Sequence, residues 1–222
     1  MDDFDLGGPS EQDDEADVAS TSDGELLKRA WRDEKAAPEI LPYQEELLER
    51  VKEQVEFQEE LIQDSQSDPN LETIVTLYKL DVDRIKFLMR SYLRTRLEKI
   101  EKHAIHIAGG DSVKRLSPKE LNYLEKFCDM LDQYMDRAVL SELPATYNKL
   151  LHQYESEGKE PDMVPRPDLD TFVFARAKEH LGLIELDERG DENPVTITEG
   201  ELFIIRYRLI RGFLENGQVE LV

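Results

Sequence analysis

Apolar residues fall three and four apart through residues 22–143, and two apart in parts of residues 169–222. The first spacing marks one face of an α-helix and the second one face of a strand. Ser22 and Glu25 stand in capping-box positions ahead of "ELLKRAWRDEKAA", which predicts a short helix with Leu27, Ala30 and Trp31 on one face, ended by Pro38. Pro42 sits at the first turn of a second predicted helix, with Leu47, Leu48, Val51, Val55, Leu61 and Ile62 at helical spacing and Phe57 to one side. Asp68 caps, with Pro69 behind it, a long helix predicted over 70–107. At 1.5 Å per residue that rod is about 55 Å long, more than one small bundle covers, so it is expected to be shared with neighbours. "LSPKE" then supplies Ser117 as N-cap, Pro118 behind it and Glu120 at the third position, a strong start signal. Leu121, Leu124, Phe127, Cys128, Leu131 and Met135 follow, and the pattern fades before Pro144.

After Pro144 the texture changes. Residues 144–168 hold Pro144, Pro161, Pro165 and Pro167 among polar residues and read as a linker. "TFVFARA" sets Phe172, Phe174 and Arg176 on one side and Val173, Ala175 and Ala177 on the other, a strand pattern. "GLIEL" and "VTIT" are two short strands, "EG" a turn, and "ELFIIRYRLI" a strand that turns helical through "LIRGFLENG" before "QVELV" closes the sheet. The fold class is therefore mainly α: an antiparallel helical bundle of four or more helices over 22–143, the linker 144–168, and a small β-rich domain over 169–222. About 55 residues are few for independent stability, so the small domain is expected to lean on something. Residues 1–21 are acidic, with few apolar positions, and are expected to be a disordered tail. Within them "DDFDLG" sets Phe4 and Leu6 among acids. That stretch is either a solvating tail or a segment that docks in a groove.

Charge sharpens the picture. The 222-residue chain carries a formal net charge of -22, and residues 1–24 hold nine acids and no base. Such a balance disfavours tight non-specific binding to DNA or anionic lipid. Yet "RIKFLMRSYLRTRLEKIEKH" (84–103) gathers Arg84, Lys86, Arg90, Arg94, Arg96, Lys99 and Lys102 against only Glu98 and Glu101. On a helix Ile85, Met89, Leu93, Leu97, Ile100 and Ala104 share an apolar face, flanked by Leu88 and Tyr92. Lys86, Arg90 and Arg94 form a separate stripe, whereas Arg96 falls inside the apolar arc and Lys99 at its edge. A DNA-binding strip would collect its cations on one exposed face; these are spread around the rod. An unpaired buried guanidinium costs several kcal/mol. Arg96 therefore either meets a carboxylate in a bidentate fork or snorkels to water.

Chemistry is sparse. Cys128 is the one cysteine, so no internal disulfide forms and a reducing compartment is expected. No run of about 18 apolar residues spans a membrane, and the N-terminus lacks the pattern of a signal peptide. His103 and His106 lie three apart with no further ligand at metal spacing. There is no Gly-rich phosphate loop, no Gly-x-Ser-x-Gly, no Cys-x-x-Cys and no Glu-x-x-His. An enzyme is not expected, nor a cofactor or metal.

"AWRDEKAAPEIL" (30–41), "RIKFLMRSYLRTRLEKIE" (84–101), "LSPKEL" (116–121), "PRPDLDTFVFARA" (165–177) and "IIRYRLIRGFLENGQVELV" (204–222), in that order, resemble the SLD-five-type subunits of the GINS complex. The resemblance covers nearly everything from residue 25 onward. It implies a helical domain followed by a small β-rich domain, and assembly with three related Psf subunits into a four-chain complex. It implies that this complex joins the MCM ring and the Cdc-forty-five protein as the replicative DNA helicase in the nucleus, and links that helicase to polymerase. On that footing the chain is a non-catalytic scaffold without tight DNA binding of its own, and the small domain docks on a sister subunit. Trp31, Arg90, Tyr92, Arg94, Arg96, Phe172, Phe174 and Tyr207 are the candidate interface residues. Arg94 and Arg96 are candidates to pair with acids on adjoining helices. For Trp31, local core packing is the equal alternative. A free-standing helical adaptor unrelated to replication also suits the long amphipathic helices and the acidic tail.

Overall fold

The structure is a computed structural model that describes residues 22–65, 71–144, 164–184 and 195–222. The expected acidic tail, the Asp68–Pro69 cap and most of the expected linker lie outside the described residues.

Three helices make the first layer. α1 (Asp23–Ala36) starts where Ser22 accepts a hydrogen bond from the Glu25 N–H, and ends before Pro38. α2 (Glu45–Ser65) begins three residues after Pro42, so Pro42 is not in its first turn. Residues 37–43 instead form an extended strap whose Tyr43 N–H donates to the Arg115 carbonyl at 3.0 Å. α3 (Glu72–Lys102) runs about 46 Å at 1.5 Å per residue. Leu27, Leu48, Val51, Val55, Val82, Leu88 and Tyr92 close the core between these helices. Leu61, expected in that core, faces outward instead.

The rod expected over 70–107 is broken. His103 leaves helical geometry (φ -120°, ψ 25°), and a short α4 (Ala104–Ala108) follows. Its Nδ1 sits 3.2 Å from the Pro165 carbonyl, tying the break to the stretch that leads into the small domain. The turn lets Ala104 and Ile107 bury with Ile40 and Ile100 against Leu124 of α5 (Pro118–Ala138). α5 begins with the full capping box expected of Ser117 and Glu120. Only its first half is packed. Met130 and Tyr134 are more than half exposed.

The small domain has β1 (Phe172–Ala177) between β4 (Leu202–Arg206) and β5 (Val219–Leu221), all antiparallel, and a separate antiparallel pair of β2 (Gly182–Ile184) and β3 (Val195–Ile197). Gly200 turns β3 into β4 at φ 78°, a backbone conformation glycine adopts without strain. The expected strand-to-helix switch falls at Tyr207, where α6 (Tyr207–Glu215) begins. Val173, Ala175 and Ala177 face inward with Ile205, Ile210, Val219 and Leu221, as the alternation in β1 predicts.

What the small domain leans on is this chain itself. Ala37 and Leu41 of the strap complete its core. The Leu221 N–H donates to Asp33 at 2.7 Å, and Tyr207 donates to Glu39 at 3.0 Å. The strap of this chain closes the inner face of the small domain, and the outer face of its three-stranded sheet stays open.

Candidate interface and its buried arginine centre

Arg96 is 0 % exposed and uses its whole guanidinium. Nε and Nη2 fork onto the two oxygens of Glu120 at 2.7 and 3.0 Å. Nη1 donates to Glu34 at 2.9 Å and to the Leu41 carbonyl at 2.7 Å, and Nη2 also to the Arg115 carbonyl at 3.0 Å. Five N–H groups thus meet five acceptors, which is the condition for burying this charge. The rings of Tyr43 and Tyr92 lie 5.3 and 5.6 Å from the guanidinium carbon. Burial works against the charge, but the hydrogen bonds to Glu120 and the charge of Glu34 outweigh it and raise the pKa above the ordinary arginine value. Of the two readings of Arg96, the carboxylate fork is the one realised.

Glu120 serves twice, because its Oε2 also accepts the Ser117 N–H at 2.8 Å in the capping box. Glu34 is shared as well. Lys99 donates to its Oε1 at 2.8 Å, to its backbone carbonyl, and to the Glu39 carbonyl at 2.8 Å. Burial pulls the Lys99 pKa below its usual value against the pull of Glu34. Glu39 continues the network to the small domain, with Arg115 Nη1 at 3.1 Å and Arg211 Nε at 2.8 Å. One contiguous set of charges therefore joins α1, the strap, α3, α5 and α6.

The other candidates divide cleanly. Tyr92 and Tyr207 are buried within the chain, and Arg96 with them, so none of the three offers its side chain to a partner. Burial pushes the Tyr92 phenol up to about 12 and raises that of Tyr207 as well. Trp31 is half-buried between α1 and α3 and donates from Nε1 to Ser91 at 2.9 Å, which is local packing. Arg90 and Arg94 are exposed. Among the described residues Arg90 donates only to the carbonyl of Lys86 one turn back, while Lys86 itself pairs with Glu59 of α2. Arg94, expected to pair with a neighbouring acid, makes no ion pair with the described residues, because its position points away from the packed arc of α3. Phe172 and Phe174 are exposed on the outer face of β1.

A further surface escaped the sequence reading. α1 begins beside Ile85, so α2 and the first turns of α3 extend past it as a two-helix arm. Val55, Ile62, Val75 and Val82 hold the arm together. Leu77, Leu80 and Phe87 on α3 and Phe57 on α2 are each more than half exposed, with Leu61, Ile74 and Tyr78 about half exposed. Leu77, Leu80, Arg84 and Phe87 are spaced three, four and three apart, the spacing of a second helical seam. A groove of about 330 Å³ opens beside it, lined by Val51, Phe57, Tyr78, Val82 and Ile85. Contiguous exposed apolar area of this kind is the candidate contact surface of the arm.

Among the described residues no cluster of ligating side chains is placed to hold a metal ion, and no helix is long and apolar enough to cross a membrane.

Residues 42–139 match the family described as the GINS complex protein helical bundle domain, and residues 167–222 the one described as the DNA replication complex GINS protein SLD5 C-terminus. The chain belongs to the SLD5 family of GINS subunits. It is 43 % identical over 206 residues to the DNA replication complex GINS protein SLD5 of Arabidopsis thaliana, covering 92 % of this chain and 93 % of the relative. The protein of that name in Schizosaccharomyces pombe is 33 % identical over 206 residues (90 % and 92 % covered). The one in Homo sapiens is 30 % identical over 210 residues (89 % and 88 %).

Proposed function

We propose that this chain acts in DNA replication as a non-catalytic subunit of a nuclear GINS complex. In this reading it assembles with three Psf subunits, and the assembled complex joins the MCM ring and the Cdc-forty-five protein as the replicative helicase and connects it to polymerase. The observation that carries the reading is the exposed apolar seam of the α2–α3 arm. Membership of the SLD5 family supplies the context, and the α2–α3 arm supplies an apolar seam of the size and spacing that takes up helices of another chain. The charges of the cationic half of α3 support a scaffold role, since those that enter the protein are spent on its own carboxylates. Of the candidate interface residues, Arg90, Arg94, Phe172 and Phe174 remain open to partners, with Leu77, Leu80 and Phe87 joining them.

Affinity purification of the tagged chain from nuclear extract, with mass identification of what accompanies it, tests this directly. Three Psf-type chains in equal amounts are expected at moderate salt, with MCM and Cdc-forty-five proteins in the replicating fraction. A chain recovered alone as a stable monomer would overturn the proposal and leave the free-standing adaptor.

A further inference from the structure

This chain closes one edge of its three-stranded sheet and leaves the other open. The Tyr207 N–H donates to the Thr171 carbonyl at 3.0 Å and the Ala177 N–H to the Glu201 carbonyl at 3.1 Å, which fixes the phase of the β1–β4 ladder. With Val173 opposite Ile205 and Ala175 opposite Phe203, the odd-numbered residues of β4 are the ones that bond to β1. The N–H and C=O groups of Leu202, Ile204 and Arg206 therefore point along the free edge of β4, where they have no partner among the described residues. The opposite edge is covered by α1, since the outward N–H of Leu221 in β5 donates to Asp33.

The open edge is also apolar. Leu202 and Ile204 on β4 and Phe172 and Phe174 on β1 are each more than half exposed, and Phe174 stands opposite Ile204. Strands that stay at an edge are blunted by lysine, proline or a bulge. β4, "LFIIR", has neither residue, and its register with β1 runs without a bulge. Charge separates the two edges again. On the β5 side Arg29, Arg32 and Arg176 reach Glu220 at 3.2, 3.9 and 3.6 Å, and Asp33 lies beside the first two. On the β4 side Arg206 lies 5.7 Å from the Phe172 ring and has no carboxylate partner among the described residues.

One kind of occupant meets all of these features. A strand laid along β4 takes up the outward backbone groups, sets every second side chain on the apolar face beside Leu202 and Ile204, and brings an acid to Arg206. A second copy of this chain fits less well. Antiparallel pairing of two β4 edges centred on Ile204 sets Arg206 opposite Leu202 rather than an acid, and brings together two chains of net charge -22. We infer that the β4 edge receives an extended segment of a sister chain as a fourth strand, with apolar residues two apart against Leu202 and Ile204 and a carboxylate against Arg206. The inference rests on the proposed function, because it draws that segment from the subunits with which this chain assembles.

Residue-resolved amide hydrogen exchange tests it, on the full-length chain alone and in the complex recovered by affinity purification. In the chain alone Phe203 and Ile205 should exchange slowly and Leu202, Ile204 and Arg206 fast. In the complex the latter three should slow by at least about tenfold. Ile204→Pro removes one outward donor and no bond to β1, so Leu202 and Arg206 should lose that protection while Phe203 and Ile205 keep theirs. Arg206→Glu, an exposed charge reversal that leaves the ladder intact, should reduce it by at least about threefold whether or not the proline variant folds. Fast exchange at the three positions in a complex that holds its sister chains would overturn the inference and leave the proposed function standing. A chain recovered alone would overturn both. Protection that grows with concentration in the chain alone would give the edge to a second copy and overturn the inference, as would protection indifferent to the charge reversal.

Discussion

The two halves of α3 solve opposite problems. Its second half buries a cation and satisfies it completely: Arg96 meets Glu34, Glu120 and two backbone carbonyls without help from any other chain. Its first half keeps apolar side chains in water, with Leu77 and Leu80 exposed on an arm that α1 does not reach. A buried charge left unpaired costs more than a fold can bear, so its partners must be present before the protein is stable. Exposed apolar area costs less per residue, and its cost falls when a partner arrives. Buried charge is therefore settled inside the chain, and the exposed apolar surface of the arm is what α3 has left to share.

Removing a member of the charged centre should have the largest effect. Arg96→Ala leaves Glu34 and Glu120 buried without their cation and should destabilise the fold by about 3–5 kcal/mol, read as a shift in denaturant midpoint. Arg96→Lys cannot reproduce the fork on Glu120 and should recover only part of that. A loss below about 0.5 kcal/mol, the range of a surface site, would erase the contrast between the two halves.

Asp33 sharpens the contrast, because it sits beside Glu34 with far fewer partners. It accepts the Leu221 N–H, but burial dominates and lifts its pKa from the ordinary 3.8 to about 6. A carboxyl whose folded pKa is raised is at its best when protonated. Its contribution is complete below about pH 4 and is lost as the pH rises through about 6, a swing of about 2–3 kcal/mol. Asp33→Asn should flatten that part of the stability–pH curve. An unchanged profile in the variant would assign the slope to another group.

Trp31→Phe removes the hydrogen bond to Ser91 and keeps most of the ring packing, so a loss of about 1 kcal/mol is expected. Smallest of all, Arg90→Glu with Arg94→Glu changes exposed positions and should move the melting midpoint by no more than about 0.5 kcal/mol equivalent. A larger loss would show that these cations have counter-charges the isolated chain does not display.

Much of this was legible in the residues. The capping box at Ser117 and Glu120, the alternation of β1 and the inward place of Arg96 all follow from local spacing. The identity of the arginine's partners did not, because Glu34 and Glu120 lie 62 and 24 residues away and nothing in their local sequence marks them among 50 acids. The break at His103 is also tertiary. Helix propensity continues through it, and the contact with Pro165 and the burial of Ile107 favour the turn. The strap's part in the small domain's core was hidden for the same reason, since it carries only Ala37 and Leu41 as signal. The arm's second seam is present in the spacing of Leu77, Leu80 and Phe87, but Arg84 interrupts it and spacing alone does not say which of two apolar faces of one helix is covered.

The most direct test of the division of labour in α3 changes only the arm. Leu77→Asp with Leu80→Asp replaces two exposed apolar side chains, so circular dichroism and the melting midpoint of the isolated chain should be nearly unchanged. Co-purification with the other GINS subunits should fall at least tenfold. A variant that still recovers its full set of partners would contradict the account, because the apolar arm would then not be the surface this chain shares.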